Sequence, residues 1–211
     1  MKRSLAGVLT LAALVGCAMN NAQKGAIIGV GVGGGAGAVI GKATGSTVRG
    51  AIIGAVVGGA AGAIIGHQMD KQAEELAYEL PGAVVQRIGE GITVTFPDGL
   101  LFGYDSDELT PAARENLRKF AASLRKYGDT RTLIVGHTDS DGSSQYNLGL
   151  SDRRALTAAG FVSSEGVDRA RITTAGRGEA EPIASNGSDS GRGQNRRVEI
   201  AIYANTTSAS N

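Results

Sequence analysis

The hydrophobic pattern changes character three times along the chain. Residues 5 to 15 form an apolar run behind Lys2 and Arg3. Two longer segments follow, "GAIIGVGVGGGAGAVIG" at 25–41 and "GAIIGAVVGGAAGAIIG" at 50–66. Glycine recurs in them at every fourth position: 25, 29, 33, 37 and 41, then 50, 54, 58, 62 and 66. On a helix an i+4 row occupies one face, so each copy predicts a helix with a flat ridge that a second helix can approach closely. The polar "KATGSTVR" between them predicts a turn, and the pair a helical hairpin over 25–66. Residues 67–82, "HQMDKQAEELAYELPG", are charged in composition. They read as a spacer helix, solvated on most faces and closed by Pro81 and Gly82, with His67 an ordinary surface residue.

From residue 83 the periods become those of an α+β domain. "AVVQRIGEGITVTF" predicts two short strands around a Gly-Glu-Gly turn. Thr110 and Pro111 open a helix, the first as a capping hydroxyl and the second at the first helical position. Ala113, Leu117, Phe120, Ala121 and Leu124 then make one buried stripe. "TLIVG" predicts a central strand covered on both faces. Leu148, Ser151, Ala155, Ala158 and Val162 mark the inner side of a second helix. "RITTAG" and "RRVEIAIYA" supply two more strands, with Val198, Ile200 and Ile202 alternating. The expected architecture over 83–204 is β-α-β-α-β-β, a mixed sheet backed by two helices, with 205–211 a polar tail.

Composition adds the N-terminal story. Lys2, Arg3 and the apolar run have the layout of a secretory leader, and the run is too short to span a bilayer. It ends at "LVGC", and Cys17 is the only cysteine of 211 residues, so it has no disulfide partner. Leu14-Val15-Gly16-Cys17 resembles a bacterial lipobox. The resemblance implies a signal peptide over 1–16, cleavage before Cys17, acylation of that residue, and a lipidated linker over 17–24. Multiple acyl chains give stable anchoring, at about 0.8 kcal/mol per buried CH₂. Ala18, rather than Asp, after the cysteine implies sorting to the outer membrane of a Gram-negative envelope, facing the periplasm. Without Lys2 and Arg3 the chain carries 19 basic and 20 acidic side chains, which excludes an electrostatic case for nucleic acid.

Glycines cost about 1 kcal/mol each inside a helix, so ten aligned ones require packing or membrane burial to offset the loss. Seventeen residues reach about 26 Å, slightly less than the ~30 Å hydrocarbon core. Two readings stand: a membrane-inserted hairpin, or a close-packed helical pair that can oligomerise beside the membrane. Gly29, Gly31 and Gly34 nominally match a dinucleotide fingerprint but lack the βαβ context.

The chemistry concentrates in "VGHTDSDGSSQYNLGLSDRRA" at 135–155. An EF-hand placing Asp139 and Asp141 at positions 1 and 3 puts Gly142 at 4 and Leu150 at 12, so the calcium pattern fails. Zinc has only His67 and His137 to draw on, and His137 lacks a nucleophile at a recognisable spacing. No metal, cofactor or enzymatic activity is expected. Asp139 is expected to end the central strand and Arg154 to lie about two turns into the following helix, a common ligand position in α/β sheets. A carboxylate and a guanidinium facing one crevice match a zwitterion, ammonium to Asp139 and carboxylate to Arg154. The alternative is a salt bridge between those two side chains.

"LFGYDSDEL", "GHTDSDGSSQYNLGLSDRRA", "GRGEAEPIASN" and "NRRVEI" resemble the successive motifs of the OmpA-like peptidoglycan-binding domain, over roughly 90–204. With the lipobox and the glycine hairpin, the whole resembles the OmpA-family lipoproteins. The resemblance implies a non-enzymatic tether that binds diaminopimelate in peptidoglycan stem peptides. It assigns Asp139 and Arg154 to the ligand, supported by Asn147, Thr138 and Arg196, and membrane lipid as a second partner through Cys17. Gly103 stands where that pattern has a larger or acidic residue, and Gly160 is expected to interrupt the second helix. The rival readings are a membrane-perturbing glycine-zipper assembly, a stator-like channel component, which would need an ionisable residue in a spanning helix, and a peptidoglycan hydrolase.

Overall fold

A computed structural model describes residues 45–57 and 63–205. The leader, Cys17, the first glycine repeat and most of the tail lie outside the described residues. In chain order the elements are α1 (Thr47–Val57), α2 (Ala63–Glu79), β1 (Val84–Ile88), β2 (Gly91–Pro97), α3 (Pro111–Lys126), β3 (Thr130–His137), α4 (Ser144–Ser164), a 3-10 turn (Arg169–Arg171), β4 (Ile172–Gly176), α5 (Asp189–Asn195) and β5 (Arg197–Ala204). The five strands form one mixed sheet in the order β1-β2-β5-β3-β4. Only β3 and β4 run parallel. The centre of the sheet is therefore β5, and β3, expected there, is one strand removed.

Alternation along the strands builds two cores. Ile92, Val94, Phe96, Ile134, Val198, Ile200 and Ile202 face α3 and α4 in the larger one. The stripe predicted on α3 is buried in full, and the Thr110 hydroxyl caps the helix by accepting from the Ala113 amide at 3.0 Å. The segment expected to be a spacer belongs to this core too. Met69, Ala73, Leu76 and Leu80, at i, i+4, i+7 and i+11, are buried in it, and Lys126 of α3 pairs with Glu75 at 2.7 Å. Its charged composition hides a narrow apolar stripe. Three helices, not two, back this face.

On the second face of the sheet packs α1, which carries the first residues of the second glycine repeat. Val48 and Ile52 of α1 are buried against Leu133, Val135 and Ala201. Gly91 permits the contact: a Cβ there would come within 2.7 Å of an Ile52 side-chain carbon. At the start of α1 the Thr47 amide donates to Glu181 Oε2 at 3.0 Å, and the Thr47 hydroxyl donates to Oε1 at 2.5 Å. A carboxylate at a helix N-terminus is favourable. Arg177 Nε donates to the same hydroxyl at 2.7 Å. The 25-residue repeat places Ala22 and Gln23 where Thr47 and Val48 stand, so the docking chemistry is private to the second copy. Among the described residues no helix is long and apolar enough to cross a membrane.

Helix α4 carries the candidate site and lies close on β3. A Cβ on Gly136 would fall 2.1 Å from the Ser151 carbonyl oxygen, so glycine is required for that approach. Its buried face is Asn147, Leu150, Ser151, Arg154, Ala155, Ala158, Ala159 and Val162. Leu148, expected inside, is 40% exposed, because polar Asn147 and Arg154 take the inward positions. Gly160 is exposed and the helix continues through it to Ser164, contrary to the expected interruption.

His137 ends β3 fully buried, and neither ring nitrogen has a hydrogen-bond partner among the described residues. Burial, and then the charges of Arg197 and Arg177, hold its pKa well below 6.5. The folded state thus keeps the ring neutral, while the unfolded chain takes up a proton as pH falls through about 6.5. Stability is fully present above that pH and declines below it, with a slope approaching about 1.4 kcal/mol per pH unit. Urea unfolding between pH 7.5 and 5.5 is expected to record this decline in the wild type and a flatter profile in His137→Leu; parallel profiles would contradict it.

Candidate functional site

The site forms where the β3–α4 connection, the loop before α3 and the start of β5 meet. Asp139 lies two residues past β3, and its side chain accepts from the Asp141 amide at 3.0 Å through Oδ1. Its other oxygen, Oδ2, accepts from Arg196 Nη1 at 2.5 Å. Arg196 also donates to Asp98 Oδ2, from Nε at 2.9 Å and from Nη2 at 2.6 Å. One guanidinium thus lies across two carboxylates. Those two acids, Asp98 first, push the Arg196 pKa above its ordinary value against the opposing effect of burial.

Arg154 lies nearly three turns into α4, farther than expected. It makes no ion pair with Asp139 or with any other described acid; backbone carbonyls hold it instead. Nε donates to Ser106 O at 2.8 Å and Nη2 to Gly103 O at 3.1 Å, and the guanidinium carbon stands 5.5 Å from the centre of the Phe102 ring. Nη1 has no hydrogen-bond partner among the described residues. Burial lowers the Arg154 pKa, opposed by the charges of Asp98, Asp105 and Asp107, and a guanidinium remains charged. A shallow cleft, open to solvent, is lined by Arg154, Arg196, Asp98, Phe102 and neighbouring residues. Gly103 contributes a carbonyl to Arg154 and no side chain to the rim.

Asp139 pairs with Arg196, and Arg196 shares a cleft with Arg154, but Asp139 is not among the residues that line it. Asp139 and Arg154 were expected to be open toward solvent; they are 5% and 4% exposed. Arg196, not Arg154, is the cation paired with Asp139, and both arginines line the cleft. Thr138 is buried as well, its amide donating to Gly178 O and its hydroxyl to Asp139 O, both at 2.9 Å.

Asn147 braces the turn from α4. Its Nδ2 donates to Asp139 O at 3.2 Å and to Glu179 Oε2 at 2.7 Å. Glu179 also accepts from the Ser144 hydroxyl at 2.6 Å. Sequence reasoning passed over Glu179 and Asp98. Glu179 lies inside the quoted "GRGEAEPIASN", and Asp98 in a Pro-Asp-Gly turn signature. Neither signal names a partner, because both partners are distant in sequence.

With this geometry in hand, comparison with known proteins is informative. The OmpA family model matches residues 101–196, and the YMGG-like Gly-zipper model matches residues 1–70. The outer-membrane lipoprotein YfiB of Pseudomonas aeruginosa is 36% identical over 127 residues, covering 58% of this chain and 76% of YfiB. This chain belongs to the OmpA family. The probable lipoprotein YiaD of Escherichia coli K12 is 39% identical over 138 residues, 64% of this chain and 63% of YiaD. That match spans less than two thirds of YiaD's own length. Among solved structures, the cell wall anchor of the type VI secretion system (T6SS) from Pseudomonas aeruginosa superposes with a TM-score of 0.58 at 32% identity, covering 63% of this chain and 96% of that one.

Asn147→Ala leaves the buried Asp139 carbonyl without one of its donors and removes a hydrogen bond from Glu179. The expected loss of folding free energy is about 1–3 kcal/mol, measured by urea unfolding; an unchanged midpoint would contradict the bracing role.

Proposed function

We propose that this OmpA-family protein is a non-enzymatic envelope lipoprotein that holds a membrane to peptidoglycan by gripping the diaminopimelate zwitterion of stem peptides. The observation that carries the reading is Arg154. Its guanidinium is held in place by two carbonyls and not by a carboxylate, and its Nη1 has no partner among the described residues. That arrangement suits a ligand carboxylate, which forms charge-assisted bonds roughly twice as strong as neutral ones. Asp139 supplies the complementary acceptor for the ammonium once Arg196 yields Oδ2. Asn147 and Thr138 fix the turn that carries Asp139, and Arg196 contributes a second cation to the rim.

The cell wall anchor with the same fold supports wall attachment, and two lipoprotein relatives support acylation at Cys17. The outer membrane, on its periplasmic side, is the location we assign. A single zwitterion contact need not be tight, since the wall presents many copies and the membrane confines the protein beside them. An enzymatic reading is disfavoured by His137, which is fully buried and is not among the residues lining the cleft.

Asp139→Ala and Arg154→Ala are each expected to lower co-sedimentation of the protein with purified sacculi at least tenfold, with far-UV circular dichroism unchanged. Free diaminopimelate is expected to compete the wild type off. Wild-type retention by both variants would overturn the assignment. Cys17→Ser is expected to shift the protein from the membrane to the soluble fraction; firm retention would make the glycine repeats the anchor.

A further inference from the structure

Asp139 is not free to receive an ammonium group, because Arg196 Nη1 already sits on its Oδ2 at 2.5 Å. A ligand must displace that guanidinium, and breaking a shielded ion pair by removing one partner is strongly unfavourable unless the remaining charge finds another. Arg196 has such a partner in place. Its Nε and Nη2 both rest on Asp98, and Asp98 lines the same cleft as Arg154 and Arg196. We infer that Asp98 is a specificity-determining residue of the site. It retains Arg196 when the ligand takes Asp139, so that one ammonium replaces one guanidinium and no charge is left unpaired.

This inference rests on the zwitterion reading and adds to it a rule of charge balance. Asp98 and Asp139 carry two negative charges, Arg154 and Arg196 two positive ones. The set is neutral, and a zwitterion inserted among them keeps it so. Removing the charge of Asp98 leaves the cleft one unit more positive, with Arg196 confined to Asp139. An ammonium then meets both a repulsive field and a tighter competitor. A ligand bearing carboxylates alone meets neither obstacle, so the substitution changes selectivity as well as affinity. Asp98 is exposed at the end of β2, and Asn has its shape, so Asp98→Asn preserves the fold.

The test is isothermal titration of the purified full chain in detergent with two probes, meso-diaminopimelate and pimelate, the same carbon chain without amino groups. Asp98→Asn is expected to weaken diaminopimelate about tenfold while leaving pimelate unchanged or stronger. Asp98→Glu is expected to restore most of the loss. In an Arg196→Gln background Asp98→Asn is expected to have little further effect, since the two act as a unit. Equal weakening of both probes, or full additivity with Arg196→Gln, would overturn the inference. Wild-type binding with an unchanged Asp98→Asn would overturn it alone, and a wild type that binds neither diaminopimelate nor sacculi would overturn the functional reading with it.

Discussion

Arg196 divides its three guanidinium hydrogen bonds between Asp98 and Asp139, and the site is arranged around that division. In water such a group would be worth little to its partners. Here Asp139 is shielded, the Arg196 side chain is four-fifths covered, and each contact is charge-assisted. The same sharing keeps Arg154 from being neutralised. Arg154 donates instead to the carbonyls of Gly103 and Ser106, and its third nitrogen has no partner among the described residues. An arrangement of this kind resists further collapse into its own salt bridges because Asp98 and Asp139 already share Arg196.

The rest of the fold serves to hold these groups at fixed spacing. Gly136 lets α4 lie against β3, which sets Arg154 relative to the turn at Asp139. Glu179 ties the start of α4 to the segment after β4, and Asn147 joins that tie to the Asp139 carbonyl. On the opposite face, α1 seals Leu133, Val135 and Ala201 from water, and its lock at Glu181 and Arg177 lies in the same segment that carries Glu179. The site and the covered face thus share one connection, residues 176–181.

Much of this was legible in the sequence, and the failures have physical causes. The α3 stripe, the hairpin at Gly89 and Glu90 and the alternation along β5 follow local periods, which are a property of neighbouring residues. Leu148 was misplaced because a buried Asn and a buried Arg occupy the inward face, and a hydrophobic count cannot see a polar side chain that is buried for its hydrogen bonds. The α2 stripe was hidden by charges on its other faces. For the site, strand-end and helix spacing singled out Asp139 and Arg154, but spacing says nothing about which cation reaches which anion. The Asp98–Arg196 pair spans 98 positions, and only the folded chain joins them. Likewise, the glycine row of the second repeat announces a helix, while Thr47 and Val48, which decide where it docks, carry no periodic signal.

In the proposed function Arg154 is held ready for a carboxylate and Arg196 guards the acid meant for an ammonium. A crystal structure of the protein soaked with meso-diaminopimelate examines it most directly. The expected density has a ligand carboxylate within about 3 Å of Arg154 Nη1 and the ammonium of the same carbon on Asp139 Oδ2, with Arg196 withdrawn onto Asp98. Ligand density elsewhere, or an Arg196–Asp139 pair intact beneath a bound ligand, would contradict it.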